Sequence, residues 1–154
     1  FAELGVIPSM QATHATSDKN MAVDRIGDVR IQGAYAWRKL MDAGALIANG
    51  SDFPVESPNP FFGLHASITR QDKDNDPVGG WYPEERMTDE EAFASFTLDA
   101  AYSGFQENLL GSLEPGKKAD FILLDRDIFA IPDTEIWQAK ALETWVNGVR
   151  VHGD

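Results

Sequence analysis

One apolar run of the sequence leads directly into a polar turn: Ala45-Leu46-Ile47-Ala48-Asn49-Gly50-Ser51-Asp52. A short apolar run bounded by turn residues is typical of a buried strand. A second run of this kind, Val6-Ile7-Pro8-Ser9-Met10-Gln11, comes earlier in the chain. Between the two, apolar residues recur at helical spacing from Val29 to Ala43, and Gly44 closes the helix. Strand, helix and strand in this order predict a βαβ unit, whose two strands are parallel neighbours.

The regions around this unit predict further elements. Residues 1–5 are typical of the end of a helix, and the polar stretch 13–18 is predicted to be a loop. A short helix is predicted over 61–69, followed by a long charged surface loop over 71–86. Long irregular loops in compact domains are often functional.

The last third of the chain predicts one more helix and then antiparallel strands. Thr88 and Glu91 form a capping-box pattern at the start of the helix, and Phe93, Phe96, Ala100 and Ala101 are predicted to form its apolar face. Residues 121–124 predict a strand, and residues 144–151 predict a hairpin with Asn147-Gly148 as its two-residue turn. The chain therefore changes from α/β character to antiparallel β character.

The composition is that of a folded, acidic protein. The 154 residues carry a net charge of −12, and 43% of them are hydrophobic. This negative field repels phosphate backbones and anionic lipids, so we expect no nucleic-acid or membrane partner. Cysteine is absent, which excludes disulfides and thiolate metal sites but leaves the compartment open between cytoplasm and periplasm. A complete (β/α)₈ barrel needs roughly 200 residues or more, and the start at Phe1 rather than Met suggests part of a longer protein.

Asp52 is the leading candidate for a functional residue. It directly follows a predicted strand, at the edge where the ligand sites of α/β folds gather. A carboxylate there can bind a metal or take a proton from a metal-bound water. The alternative is that Asp52 only stabilises a turn, which is a common role of Asp.

The three histidines differ in what their positions predict. His14 follows the other parallel strand and is expected at the same edge as Asp52, where a neutral imidazole can bind a metal or hydrogen-bond a substrate carbonyl. The alternative is a solvated side chain in a polar loop. His65 falls in the predicted short helix and indicates packing or a surface position, and His152 near the end of the chain is expected to be exposed.

Two stretches imitate ligand-binding motifs without completing them. Residues 111–118 match the start of a P-loop, but Lys118 stands where Ser or Thr is needed and a strand follows in place of a helix. Residues 72–76 open like an EF-hand loop, but Pro77 and Pro83 occupy the positions of the required Gly and the bidentate Glu. We interpret the second stretch as a solvated acidic loop.

Four stretches of the chain, taken in order, resemble one known family. Ile7–Gln11 with Thr13-His14 is similar to the seventh strand and loop of a barrel, and Gly50–Val55 to the eighth strand with its metal-site Asp. Residues 111–125 are similar to the return of the chain into a small β-sandwich, and residues 144–151 to its closing hairpin. Together they resemble the C-terminal part of the amidohydrolase superfamily, in the branch that includes N-substituted formamide deformylases.

The resemblance implies an α/β fold made of two segments. Residues 1–110 would be a C-terminal fragment of a (β/α)₈ TIM barrel, with its last two strands and helices, and residues 111–154 would be strands of the small β-sandwich. In the family, metal-bound water attacks a carbonyl carbon and the Asp after strand eight carries a proton to the leaving nitrogen. Asp52 would then be the catalytic and metal-binding residue, with His14 and Gln11 contacting a small-molecule substrate.

The implied function is hydrolysis of non-peptide carbon–nitrogen bonds in amides or cyclic amides. Zinc is the expected divalent metal of the complete protein, but the other metal ligands of the family have no counterpart here. The chain alone is therefore expected to be inactive, with no metal bound. The open strand edges predict a homo-oligomer. The alternative is a non-catalytic domain that binds a ligand or partner through the acidic loop and the exposed aromatics Trp81 and Tyr82.

Overall fold

The parallel strand pair predicted from the sequence is present but short. The computed structural model describes residues 1–153, in which β1 (Ser9–Met10) and β2 (Ala48–Asn49) pair in parallel. Two further backbone bonds run from the Ala48 amide to the Pro8 carbonyl (3.1 Å) and from the Gly50 amide to the Met10 carbonyl (3.0 Å). Val6 is 47% exposed, so the first residue of the first predicted strand is not buried.

Helices make up most of the first hundred residues. The described α-helices are α1 (Ala12–Asp18), α2 (Ala22–Arg30), α3 (Trp37–Asp42), α4 (Pro60–Thr69), α5 (Asp89–Phe96) and α6 (Leu98–Ser103). Short 3₁₀ turns lie at Ala2–Leu4, Ile31–Gly33, Pro83–Glu85 and Asp133–Gln138.

Three helix predictions need correction. The single helix expected from Thr88 is divided into α5 and α6 at Thr97, whose backbone is not helical (φ −127°, ψ −85°). The stretch 13–18 is not a loop but belongs to α1, because Ala12 and Ala15 are fully buried and anchor one face of the helix in the core. The single helix expected over 29–43 is broken, since Tyr35 has a left-handed backbone (φ 52°) between the 3₁₀ turn and α3. Left-handed backbone interrupts a right-handed helix wherever it occurs.

α4 is the central helix of the molecule. Asn59 caps its start by accepting a hydrogen bond from the Phe61 amide (3.0 Å), and Pro60 occupies the first position. Eight of its ten residues are buried. His65 is 1% exposed, and its ring nitrogens each lie 3.0 Å from a backbone carbonyl, that of Asp72 and that of Asp133. The packing role expected for His65 is confirmed.

The last third forms an antiparallel sheet in the order β3 (Phe121–Leu124), β4 (Ala141–Val146) and β5 (Val149–His152). Asn147 (φ 51°) and Gly148 (φ 76°) form the turn between β4 and β5. Positive φ at both positions is what a type I′ hairpin turn requires, and the hairpin prediction is confirmed.

One hydrophobic cluster joins the early helices to the later chain. It contains Phe61 and Leu64 of α4 together with Ile128, Ile136 and Ala139. The division into segments 1–110 and 111–154 stays a prediction, but the two segments share this interior.

Candidate active site at the carboxyl ends of the parallel strands

The carboxyl ends of β1 and β2 bring the candidate residues to one edge. Gln11 follows β1 and precedes α1, and His14 lies in the first turn of that helix. Asp52 follows β2 after a Gly50-Ser51 step. Because the strands are parallel, these residues leave the pair on the same side. The sequence placed them correctly in topology, although His14 is in a helix and not in a loop.

Asp52 is held in an unusual backbone conformation. Its φ is 54°, and its carbonyl accepts a hydrogen bond from the Val55 amide (2.9 Å) in a tight turn. Left-handed backbone is uncommon for residues other than Gly, and Asp tolerates it better than most. The side chain is exposed, and within residues 1–153 its carboxylate makes no hydrogen bond or ion pair. The turn therefore presents a free carboxylate at the strand edge.

His14 and Gln11 differ from Asp52 in being half-buried. His14 Nε2 is buried and lacks a hydrogen-bond partner in the described part of the chain. Gln11 occupies the N-cap position of α1 without a side-chain capping bond. Buried polar groups are usually paired, so the His14 Nε2 needs a partner that residues 1–153 do not supply.

A cavity of about 200 Å³ opens beside these residues. It is lined by Thr13, Gly50, Ser51, Ser57, Pro58, Asn59, Pro60, Gly63 and Phe96. Thr13 and Ser51 come from the two strand ends, whereas Gly63 and Phe96 come from α4 and α5. Sequence reasoning missed this site. Thr13 and Ser51 each neighbour a candidate residue, but nothing in the sequence indicates that α4 and α5 complete a cavity with them.

The described residues do not form a metal site by themselves. No group of three or more His, Asp or Glu side chains within residues 1–153 is placed to hold a metal ion. A zinc site needs at least three protein ligands, and Asp52 alone supplies one. The single carboxylate thus fits a contribution to a metal centre but cannot build one.

The acidic loop beyond α4 is anchored to α1. Lys19, whose side chain is 7% exposed, forms ion pairs with Asp72 and with Asp76 (2.8 Å). Burial lowers the pKa of Lys19, but its bonds to the two carboxylates outweigh this and raise that pKa above its ordinary value. The predicted solvated loop is confirmed for Asp74 and Asp76, which are exposed, while Asp72 is half-buried against Lys19.

Arg70 holds the other end of that loop against the core. Its fully buried guanidinium lies 4.2 Å from the ring centroid of Trp37 and 5.3 Å from that of Trp81. Its Nε donates to the Trp81 carbonyl (2.8 Å). Burial lowers the pKa of Arg70 to about 10, so the side chain is still a cation at neutral pH. Trp81 and Tyr82 are half-buried, so the expectation that both aromatics are exposed is wrong.

The profile of the Amidohydrolase family matches residues 1–152. The chain belongs to the amidohydrolase family. It is 31% identical over 153 residues to the protein LONG AFTER FAR-RED 3 of Arabidopsis thaliana, covering 99% of this chain and 26% of that protein. It is 30% identical over 112 residues to the N-substituted formamide deformylase of Arthrobacter pascens, covering 73% of this chain and 20% of the deformylase.

A solved structure shows a similar arrangement of elements. The crystal structure of an uncharacterized metal-dependent hydrolase from Pyrococcus horikoshii superposes with a TM-score of 0.74 at 28% identity. The match covers 86% of this chain and 26% of that one. This amidohydrolase chain thus spans about a quarter of the length of the relatives it matches. The helices within residues 1–153 are all too short or too polar to cross a lipid bilayer.

Proposed function

We propose that this chain supplies the last two strands of an amidohydrolase barrel within residues 1–110, and strands of a small β-sandwich within residues 111–154. The parallel pair β1–β2, the antiparallel sheet β3–β5 and the share of the relatives that is covered support this placement. The complete protein would hydrolyse a non-peptide carbon–nitrogen bond of a small molecule, such as an amide or cyclic amide. A relative named as a formamide deformylase supports this reaction class.

The observation that carries the proposal is the free carboxylate of Asp52 at the carboxyl end of β2. In hydrolysis of an amide, water adds to the carbonyl carbon, the carbon–nitrogen bond breaks, and the nitrogen leaves as an amine. Asp52 would accept the proton of the water on one carboxylate oxygen and return it to the leaving nitrogen. General acid–base catalysis of this kind contributes about 10²–10⁴-fold to the rate.

The other roles follow from position at the same edge. His14, with its unpaired Nε2, would face the substrate carbonyl, and Gln11 would contact the substrate from the end of β1. A divalent metal, with zinc as the expected ion, would take Asp52 as one ligand and its remaining ligands from outside the described residues.

The test uses the product of the complete coding sequence that contains this chain. Asp52→Asn should lower kcat for hydrolysis of N-substituted formamides about 10²–10⁴-fold with little change in KM. Asp74→Asn is the matched control, because Asp74 is exposed and its carboxylate pairs, within residues 1–153, with the neighbouring Lys73. An Asp52→Asn protein that keeps wild-type kcat would contradict the proposal.

The isolated chain gives a second test. With one candidate metal ligand it should show no turnover of formanilide when zinc or manganese is added. Turnover above background would show that the described residues suffice for catalysis, which contradicts the need for ligands from elsewhere.

A further inference from the structure

The cavity beside Asp52 is large enough for part of a small molecule. Its volume is about 200 Å³. An apolar cavity of about 150 Å³ holds benzene in another protein. The cavity here can therefore take a group the size of one ring with a small substituent.

The lining of the cavity indicates what kind of group this is. None of its residues is charged: the polar members are Thr13, Ser51, Ser57 and Asn59, and Phe96 supplies an aromatic wall. An ion buried without a charged partner is strongly disfavoured, and the net charge of −12 further disfavours an anion. The cavity therefore suits an uncharged, polar group joined to an apolar one.

The Thr13 hydroxyl is an unpaired polar group among the residues that line the cavity. Its Oγ1 is buried and has no hydrogen-bond partner within residues 1–153. Other helical threonines donate to a carbonyl of the preceding turn: Thr16 to Thr13 (2.9 Å) and Thr69 to His65 (2.7 Å). Thr13 lies in the first turn of α1, and the residue four positions earlier, Ser9, is in β1. A helical carbonyl is thus missing where the Thr13 hydroxyl would need one.

We propose that this cavity binds the uncharged amide end of a small planar substrate, with the Thr13 hydroxyl hydrogen-bonded to the amide and the Phe96 ring packed against the planar apolar part. A hydroxyl both donates and accepts, as an amide does, so the two groups can pair in either sense. The choice of an amide rests on the proposed function; the position of the subsite and the role of Thr13 rest on the cavity itself.

The experiment is a binding titration that needs no turnover. The ¹⁵N-labelled chain is titrated with formanilide, an uncharged planar amide, and separately with toluene, which has the ring without the amide. We expect saturable shifts at the amides of Thr13, Ser51 and Gly63. Thr13→Val, which keeps the shape and removes the hydroxyl, should weaken formanilide binding about tenfold and leave toluene binding within twofold.

Two further variants make the outcome decisive. Thr13→Ser keeps a hydroxyl and should bind formanilide within threefold of wild type. Thr134→Val is the control for the chemical change, since Thr134 is exposed and does not line the cavity. Equal formanilide affinity in wild type and Thr13→Val, or no shifts at the cavity amides up to the solubility limit, would overturn the proposal. The effect of Asp52→Asn on hydrolysis is measured in a separate assay. The proposed hydrolytic function and the proposed amide subsite can therefore fail independently.

Discussion

Replacing Gly63 by Ala tests how closely α4 and α5 approach each other at the back of the cavity. A Cβ at Gly63 would lie 3.2 Å from both Cε atoms of Phe96 and nearer still to its Cζ. Carbon atoms prefer roughly 3.5–4.0 Å, so the ring must move by about 1 Å. Such overpacking costs about 1–3 kcal/mol, while Ala gains about 1 kcal/mol over Gly in a helix. We expect Gly63→Ala to lower the free energy of unfolding by about 0–2 kcal/mol.

The decisive comparison is made in a Phe96→Leu background. Leu has no atom that reaches as far as Cζ, so Gly63→Ala should there raise the free energy of unfolding by up to about 1 kcal/mol. Urea unfolding followed by tryptophan fluorescence measures all four proteins, since the chain has four Trp. Gly104→Ala is the control, because a Cβ there meets only backbone oxygens at ordinary contact distance. Effects of Gly63→Ala that agree within about 0.5 kcal/mol in the two backgrounds would refute the close approach.

Three further predictions concern stability and assembly. Hydrogen bonds from Arg38 and the Thr88 amide hold the pKa of Glu91 at about 2, below its ordinary 4.5. The ionised Glu91 therefore stabilises the fold fully above pH 4.5, and this stabilisation is lost as the pH falls through 2. Glu91→Gln should lower the free energy of unfolding by about 1–2 kcal/mol at pH 7, allowing for solvent screening. Urea unfolding should show a progressively smaller difference below pH 4.5. Arg70→Lys should cost about 2 kcal/mol or more and speed hydrogen exchange in residues 71–86, because an ammonium cannot stack on Trp37 and also donate to the carbonyls of Trp81 and Tyr35, as the guanidinium does. Unchanged exchange in residues 71–86 would contradict this role. The outer strands β3 and β5 pair on one side only within residues 1–153, so light scattering should detect self-association, and a clean monomer at all concentrations would be the contrary result.

Local features that are built by a few neighbouring residues were predictable from the sequence. The capping box of Thr88 and Glu91 forms as expected, and so does the Asn147-Gly148 turn. In both cases a few adjacent residues supply all the atoms that make the feature. The parallel pairing of β1 and β2 was also predictable, because helices lie between the two strands in the chain and a helical crossover connects parallel strands.

Predictions that depended on tertiary packing succeeded less often. The spacing of the bulky residues places Phe93 on the buried face of α5, but Phe93 is 41% exposed whereas Ala92 and Ser95 are buried. The small residues Ala92 and Ser95 face the interior, and the contact of α5 with Gly63 of α4 is made by Phe96. Which face of a helix is buried depends on the element that packs against it, and the periodicity of the sequence alone does not predict this.

At the candidate site too, some features were predictable from the sequence and others depended on tertiary packing. Asp52 and His14 could be assigned to one edge from strand order alone. The cavity could not be predicted, since it needs Thr13 from α1 and Phe96 from α5 to meet across the start of α4. The unpaired state of the Thr13 hydroxyl was equally hidden, because it depends on where the helix begins.

The interior shared by α4 and the later chain has a consequence for building hybrids with longer relatives. Ile128 and Ile136 pack in one cluster with Phe61 and Leu64, and the Asp133 carbonyl contacts the His65 ring. A chimera joined near residue 111 would therefore combine one parent's helix with another parent's covering segment, and each contact would have to be matched anew. If residues 60–69 and residues 128–139 are exchanged together, the residues that contact each other come from the same parent. These two separated stretches therefore behave as a single module for recombination.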